Sequence, residues 1–237
     1  MASDIKEFEV KFKIKSPIAT LADEFLFKKY KIIFSKKEGR VEYLKILINA
    51  ETSNGAREEA KKIIENLNNL CCYNKNFLLA EDDSFEVNDP TGHKSTIMKT
   101  LSISYAVISP IDFKKGMGLE IYNQCKDIKK LDELLAMFEN SVRIKDKEFK
   151  FLCYYKIINS LGEGNHTQIN EWLKSKFKLG YEERKRRDNG VILKNTWPVN
   201  LRHAIMYDEN PDISDEQLKN MEIFAKTFIS EKYFQFE

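Results

Sequence analysis

Phe8-Glu9-Val10-Lys11-Phe12-Lys13-Ile14 alternates apolar and charged residues without interruption. Successive side chains of a strand point to opposite faces, so this spacing puts Phe8, Val10, Phe12 and Ile14 on one face of a strand. Working outward, Tyr30 to Phe34 and Val41 to Ile48 read as two further strands, joined by the turn-rich Ser35-Lys36-Lys37-Glu38-Gly39. Thr52-Ser53-Asn54 then offers N-caps, and Ala56, Ala60, Ile63, Ile64, Leu67 and Leu70 recur every three or four residues. That pattern predicts an amphipathic helix of about four to five turns, whose apolar stripe needs a sheet to cover. Strands are also expected at Asn76 to Ala80 and Thr96 to Ile108, with a loop from Asp82 to Ser95 between them. Residues 1–112 are thus expected to form an α+β domain, one long helix on a mostly antiparallel sheet.

After Pro110 the texture turns helical. Leu119, Tyr122, Cys125 and Ile128 begin a stripe that Leu131, Leu134, Leu135 and Phe138 continue. A second runs Phe149, Leu152, Cys153, Lys156, Ile157, Ser160 and Leu161 to Gly162-Glu163-Gly164, where glycine can close a helix. A short helix from Thr167 to Lys178, with Ile169, Trp172, Leu173 and Phe177 on its apolar side, is expected to stop at Gly180. Residues 181–196 are too charged and irregular to assign. Pro198 suits the first turn of a helix carrying Leu201, Ala204, Ile205 and Met206. Ser214-Asp215-Glu216-Gln217 has the capping-box pattern and opens a last helix through Leu218, Met221, Phe224, Ala225 and Phe228. Residues 113–237 are therefore expected to be an α-helical bundle.

With 237 residues, 42% of them apolar and 12% aromatic, the chain can bury a core without disulfides or a structural metal. Its 39 basic and 37 acidic residues nearly cancel, so net charge alone makes no case for nucleic acid or an anionic membrane. The distribution is less even: residues 143–203 carry 14 basic and 7 acidic residues, whereas 204–237 carry 3 and 8. No apolar run approaches a membrane span, and Met1-Ala2-Ser3-Asp4-Ile5-Lys6 lacks the basic and apolar regions of a secretion signal, so a cytoplasmic protein without membrane contact is expected. Cys71, Cys72, Cys125 and Cys153 show neither a C-x-x-C pair nor a disulfide framework and read as reduced, structural thiols.

Several chemistries are excluded by pattern. Asp89-Pro90-Thr91-Gly92-His93-Lys94-Ser95 lacks the first glycine of a phosphate-binding loop, has His93 between Gly92 and Lys94, and joins two expected strands where such a loop opens a helix. His93, His166 and His203 lie far apart in sequence with no cysteine or carboxylate at ligand spacing, so no metal is expected. Gly116-Met117-Gly118 lacks a dinucleotide fingerprint's third glycine, no nucleophile elbow occurs, and no cofactor is expected.

Two segments remain. Arg184-Lys185-Arg186-Arg187, after Glu182-Glu183, sets four adjacent cations that can neutralise phosphates or simply form a solvated helix end or loop. Tyr181 and Trp197 flank it. Leu201-Arg202-His203-Ala204-Ile205-Met206-Tyr207 brings an arginine, an imidazole and a phenol to one helix near that basic stretch. These groups suit a phosphate; alternatively Arg202 pairs with Asp208 or Glu209 while Tyr207 packs in the core.

At these residues the chain resembles the HEPN superfamily (higher eukaryote and prokaryote nucleotide-binding domains), in its Apea-like and methylamine-utilisation-J-like branches. Lys147 to Leu161 looks like the family's long, aromatic-rich helix, and Leu201 to Tyr207 resembles its signature of an arginine, a polar residue, three variable residues and a histidine. Ala50 to Cys72, with its A-x-x-x-A-x-x-I-I helix, is similar to the α/β unit that often precedes such bundles. The resemblance implies an RNA- or nucleotide-associated homodimer in phage defence, toxin–antitoxin or stress systems, related to metal-independent ribonucleases. Arg202 would then stabilise charge on the scissile phosphate, His203 would help to orient it, and Tyr207 would occupy the histidine position. A phenol with an unperturbed pKa of about 10 is a weak base at neutral pH, so this exchange argues for weakened or lost cleavage. The competing expectation is a non-catalytic dimerisation or adaptor module, its N-terminal domain presenting a surface to a protein partner.

Overall fold

In the computed structural model, β1 (Lys6–Ile14), β2 (Glu24–Phe27), β3 (Tyr30–Lys37), β4 (Arg40–Ala50), β5 (Ala80–Asn88) and β6 (Lys94–Ile97) build one antiparallel sheet in the order β2-β3-β4-β1-β5-β6. The structure describes residues 5–14, 23–37, 40–75, 80–88, 94–97, 119–161, 165–185, 190–207 and 211–234. Two compact units divide the chain, Met1–Leu135 and Ala136–Glu237. The expected boundary at 112 lies outside the described residues.

Within the first unit, Phe8, Val10, Phe12 and Ile14 are buried, as the alternation requires. Phe8 stands opposite Ile48, Val10 opposite Ile46 and Phe12 opposite Leu44, so apolar side chains meet across the β1–β4 pair. Charges interlock on the other face, with Lys45 Nζ 3.2 Å and Lys11 Nζ 3.6 Å from Glu9. Partial burial opposes ionisation of Glu9, but hydrogen bonds from Lys45 and Asn88, aided by Lys11, hold its carboxyl below the ordinary value. A bulge corrects the phase of β4: Ser35 faces Tyr43 and Lys36 faces Val41, leaving Glu42 as the extra residue. Val41 thereby returns to the side that buries Leu44, Ile46 and Ile48. Helix α1 (Ser53–Lys75) contacts β1, β4 and β5 and buries Ala56, Ala60, Ile63, Ile64, Leu67 and Leu70, the predicted stripe.

The edge strand β2 was not expected. It turns into β3 through Lys28, whose φ of 55° is left-handed. Helix α2 (Leu119–Gln124) supports this turn: Asn123 Oδ1 accepts from the Lys28 N–H at 2.6 Å, and its Nδ2 donates to the Leu26 carbonyl at 3.0 Å. Tyr122 stacks on Phe27 at 4.8 Å, and Lys28 Nζ reaches Asp132 of α3 (Ile128–Arg143) at 2.8 Å. The Tyr122 hydroxyl donates a short hydrogen bond to the same carboxylate; burial, reinforced by that bond, raises the phenol's pKa.

The expected loop from Asp82 to Ser95 is corrected on both sides, since β5 runs to Asn88 and β6 starts at Lys94. Pairing decides this against poor strand propensity: Val87 is buried opposite Val10, and Asn88 Nδ2 donates to Glu9 at 3.0 Å. The strand expected at Asn76 to Ala80 lies outside the described residues except for Ala80, as does the strand expected at Thr96 to Ile108 beyond Ile97.

The second unit holds the end of α3, then α4 (Lys147–Asn159), α5 (His166–Phe177), β7 (Glu182–Lys185), β8 (Ile192–Asn195), α6 (Trp197–Met206) and α7 (Asp215–Tyr233). An aromatic seam joins its helices. Tyr155 stacks on Phe151, which meets Trp197; Trp197 meets Phe224, and Phe224 lies 4.3 Å from Phe177. The Ser214 capping box is formed in full, with Ser214 and Gln217 exchanging side-chain and backbone hydrogen bonds.

The bundle is not purely helical as expected, because Glu182–Lys185 and Ile192–Asn195 pair as the antiparallel strands β7 and β8. Its strands were hidden by charge: each is four residues long and largely exposed, so neither needs an apolar face. The helix expected to stop at Gly180 ends instead on Lys178, with φ 56° and ψ 31°. Helix α4 ends at Asn159 and is capped by Ser160, whose hydroxyl donates to the Ile157 carbonyl at 2.6 Å; the glycines expected to close it lie outside the described residues. None of the four cysteines forms a disulfide, and among the described residues no helix is long and apolar enough to cross a membrane.

A left-handed backbone costs a side-chain-bearing residue roughly 1 kcal/mol, and Lys178 is exposed. Lys178→Gly is therefore expected to stabilise the protein by about 1 kcal/mol in denaturant unfolding; an unchanged or lower midpoint would contradict this account of the helix end.

Candidate functional site

Helix α6 enters the core by its first turn and leaves it by its last. Pro198, Val199 and Asn200 are buried, whereas Met206 is 56% and Tyr207 59% exposed. This corrects the expected stripe, since Leu201, Ala204 and Ile205 are only half-buried. The physical cause is a polar anchor at the start of the helix. Asn170 of α5 is buried, and its Oδ1 accepts from both the N–H and the hydroxyl of Thr196, each at 2.8 Å. Thr196 is the N-cap of α6, so its hydroxyl is committed to Asn170 and not to the helix end. Asn170 Nδ2 donates to Asn195 at 2.9 Å, Asn195 Nδ2 to Asn200 at 3.1 Å, and Asn200 Nδ2 to the Glu182 carbonyl at 3.3 Å. One chain of amides thus holds the hairpin base and the start of α6 on α5.

The exposed end of α6 carries Arg202 and His203, both half-buried, and is capped by Tyr207. The Tyr207 ring lies parallel to His203 at 6.3 Å, and its N–H donates to the His203 carbonyl at 3.1 Å. His166, the first residue of α5, brings a second imidazole 4.9 Å from His203, with the rings inclined at 59°. Separation in sequence had disguised this pair, which forms because α5 starts where α6 ends. Behind His166, the Tyr155 hydroxyl of α4 lies 3.1 Å from Nδ1.

Electrostatics divide these groups. Burial, and then the positive charge of Arg202, lower the His166 pKa, and the N-terminus of α5 likewise disfavours a cation there. His203 sits in the last turn of α6. Burial pushes the Tyr155 phenol up to about 12 although Arg202 pulls it down, so it remains protonated at neutral pH. The result is a fixed cation and two imidazoles at a partly exposed surface. Such a group can bind an anion and move protons on both sides of it.

The other expected residues fall differently. Tyr207 does not pack in the core, and Asp208 and Glu209, the suggested partners of Arg202, lie outside the described residues. Arg184 and Lys185 belong to β7, opposite Leu193 and Ile192, and so form part of a strand rather than the anticipated helix end or loop. Arg186 and Arg187 lie outside the described residues, as do His93 and the 116–118 glycines. Tyr181 is exposed and has Lys174 Nζ 4.9 Å from its ring centroid, while Trp197 packs into the aromatic seam. Among the described residues, no group of three or more histidines, cysteines and carboxylates is arranged to hold a metal ion. The sequence signal that would have found His166 is its position after Asn165, an N-cap whose side chain accepts from the Thr167 N–H at 3.0 Å.

Comparison with known proteins finds no matching family model, curated protein or solved structure. The chemistry of this surface therefore rests on its own geometry.

Asn170→Ala strips two buried donors on Thr196 of their acceptor, and is expected to cost about 2–4 kcal/mol in denaturant unfolding. A loss below about 0.5 kcal/mol would show that the amide chain does not anchor α6. His166 supplies a pH test. Its folded pKa lies below the ordinary 6.5, so its contribution to stability is whole above that value and is lost as pH falls through the folded pKa. His166→Gln should flatten the decline of the thermal midpoint between about pH 7 and about pH 5; an equally steep decline in the variant would contradict the shift.

Proposed function

We propose that this is a HEPN-like protein that binds RNA at Arg202 and His203 and acts as a metal-independent endoribonuclease of modest activity. The observation that carries the proposal is Arg202 beside the His166–His203 pair on the exposed end of α6. A phosphodiester needs a fixed cation for its non-bridging oxygens and a group that titrates near neutrality, and both kinds of group meet here. Arg184 and Lys185, on a hairpin pinned to the start of the same helix, add sequence-independent attraction for the backbone. Dimerisation through the helical unit and service in defence or stress response accompany the resemblance to the family.

The adaptor alternative assigns Arg202 and Tyr207 to packing. Tyr207 is 59% exposed and Arg202 half-buried, which favours the ligand-binding reading.

The test is incubation with end-labelled RNA at low salt in EDTA. Wild-type protein is expected to bind and to release fragments slowly. Arg202→Ala should weaken binding about tenfold or more, the worth of one charge-assisted hydrogen bond. Absence of RNA binding by the wild type at low salt would overturn the proposal.

A further inference from the structure

We propose that His166 is the general base of this site and His203 the general acid, so that proton transfer passes through a residue outside the Arg202 to Tyr207 segment. The inference rests on the ribonuclease reading and deepens it by naming the groups that move protons.

Three observations support it. His166 and His203 stand on two different helices with ring centroids 4.9 Å apart, and the charge of Arg202 bears on His166. Tyr155 engages His166 at Nδ1, so only Nε2 remains for a ligand. The hydrogen is assigned to Nδ1, donated to the phenol oxygen, which leaves the lone pair of a base on Nε2. The groups facing His166 are Tyr155 from α4 and Arg202 and His203 from α6, and the cationic Arg202 favours the neutral imidazole that a base requires. Tyr207 is the poorer candidate because its ring lies parallel to His203 at 6.3 Å and is largely exposed.

The step is a transesterification. His166 Nε2 takes the proton of the ribose 2′-hydroxyl as the 2′-oxygen bonds to phosphorus. The bond from phosphorus to the 5′-oxygen breaks, and the imidazolium of His203 gives that oxygen its proton. Arg202 balances charge on the non-bridging oxygens. The products are a 2′,3′-cyclic phosphate and a 5′-hydroxyl end, with His166 left protonated and His203 neutral until solvent resets both. Tyr155 is a positioning residue that holds the ring of His166 through Nδ1.

The experiment uses the full chain and a single-stranded RNA of mixed sequence. His166→Ala should retain RNA binding within about threefold and lose about a hundredfold or more in cleavage rate. Added imidazole should restore part of that rate, an effect a purely structural role does not produce. Tyr155→Phe, which keeps the ring packing, should lower kcat about tenfold at unchanged KM and displace the acid limb of the pH–rate profile. If wild type binds RNA but does not cleave it, or if His166→Ala cleaves at the wild-type rate, the assignment of His166 is overturned while RNA binding stands. If wild type does not bind, the underlying reading falls with it. An unmoved pH profile in Tyr155→Phe would remove Tyr155 from the mechanism.

Discussion

The geometry of the helical unit depends on one buried primary amide. Asn170 saturates its carbonyl oxygen with two donors from Thr196 and gives an N–H to Asn195, so a polar side chain is satisfied where water is excluded. An apolar residue of similar size would leave the Thr196 N–H and hydroxyl without an acceptor, and those costs would fall at the junction of hairpin and helix. The constraint is directional as well as energetic. It fixes where α6 begins and therefore how far along it the chain must travel before Arg202 and His203 emerge.

His166 and Asn170 are four residues apart on α5 and share a face of that helix. The first meets His203 near the end of α6; the second meets Thr196 at its start. The two helices thus pass in opposite senses, and one stripe of α5 both anchors α6 and furnishes an imidazole to it. Tyr155 reaches the same point from the aromatic seam through Phe151 and Trp197, so the hydroxyl behind His166 is held by packing. Binding groups on a rigid support lose little freedom when a ligand arrives, which is the structural requirement for proton transfer at a fixed distance.

Much of this was legible in the sequence, for identifiable reasons. The Phe8 to Ile14 alternation, the Ala56 to Leu70 stripe and the Ser214 capping box are local patterns, and local patterns survive into the fold. Strand β5 was not legible because Glu81-Asp82-Asp83-Ser84 has poor strand propensity, and it is the pairing of Ala80 and of Phe85 to Asn88 with β1 that makes the strand. The β7–β8 hairpin was hidden because its residues have no buried face to reveal a period. The position of Arg202 and His203 on a helix could be read from Pro198 and the residues after it. His166 could not be added to them, because 37 positions separate it from His203 and tertiary packing, the amide network included, closes that distance.

At the far edge of the sheet, Asn123 has a role that its two hydrogen bonds define together. By accepting from Lys28 N–H and donating to the Leu26 carbonyl, one side-chain amide answers two backbone groups as a single residue of a neighbouring parallel strand would. Strand β2 is short, and at its Leu26–Lys28 end another chain approaching that edge finds the pairing groups taken. The sheet ends there by substitution: a side chain stands in for the seventh strand.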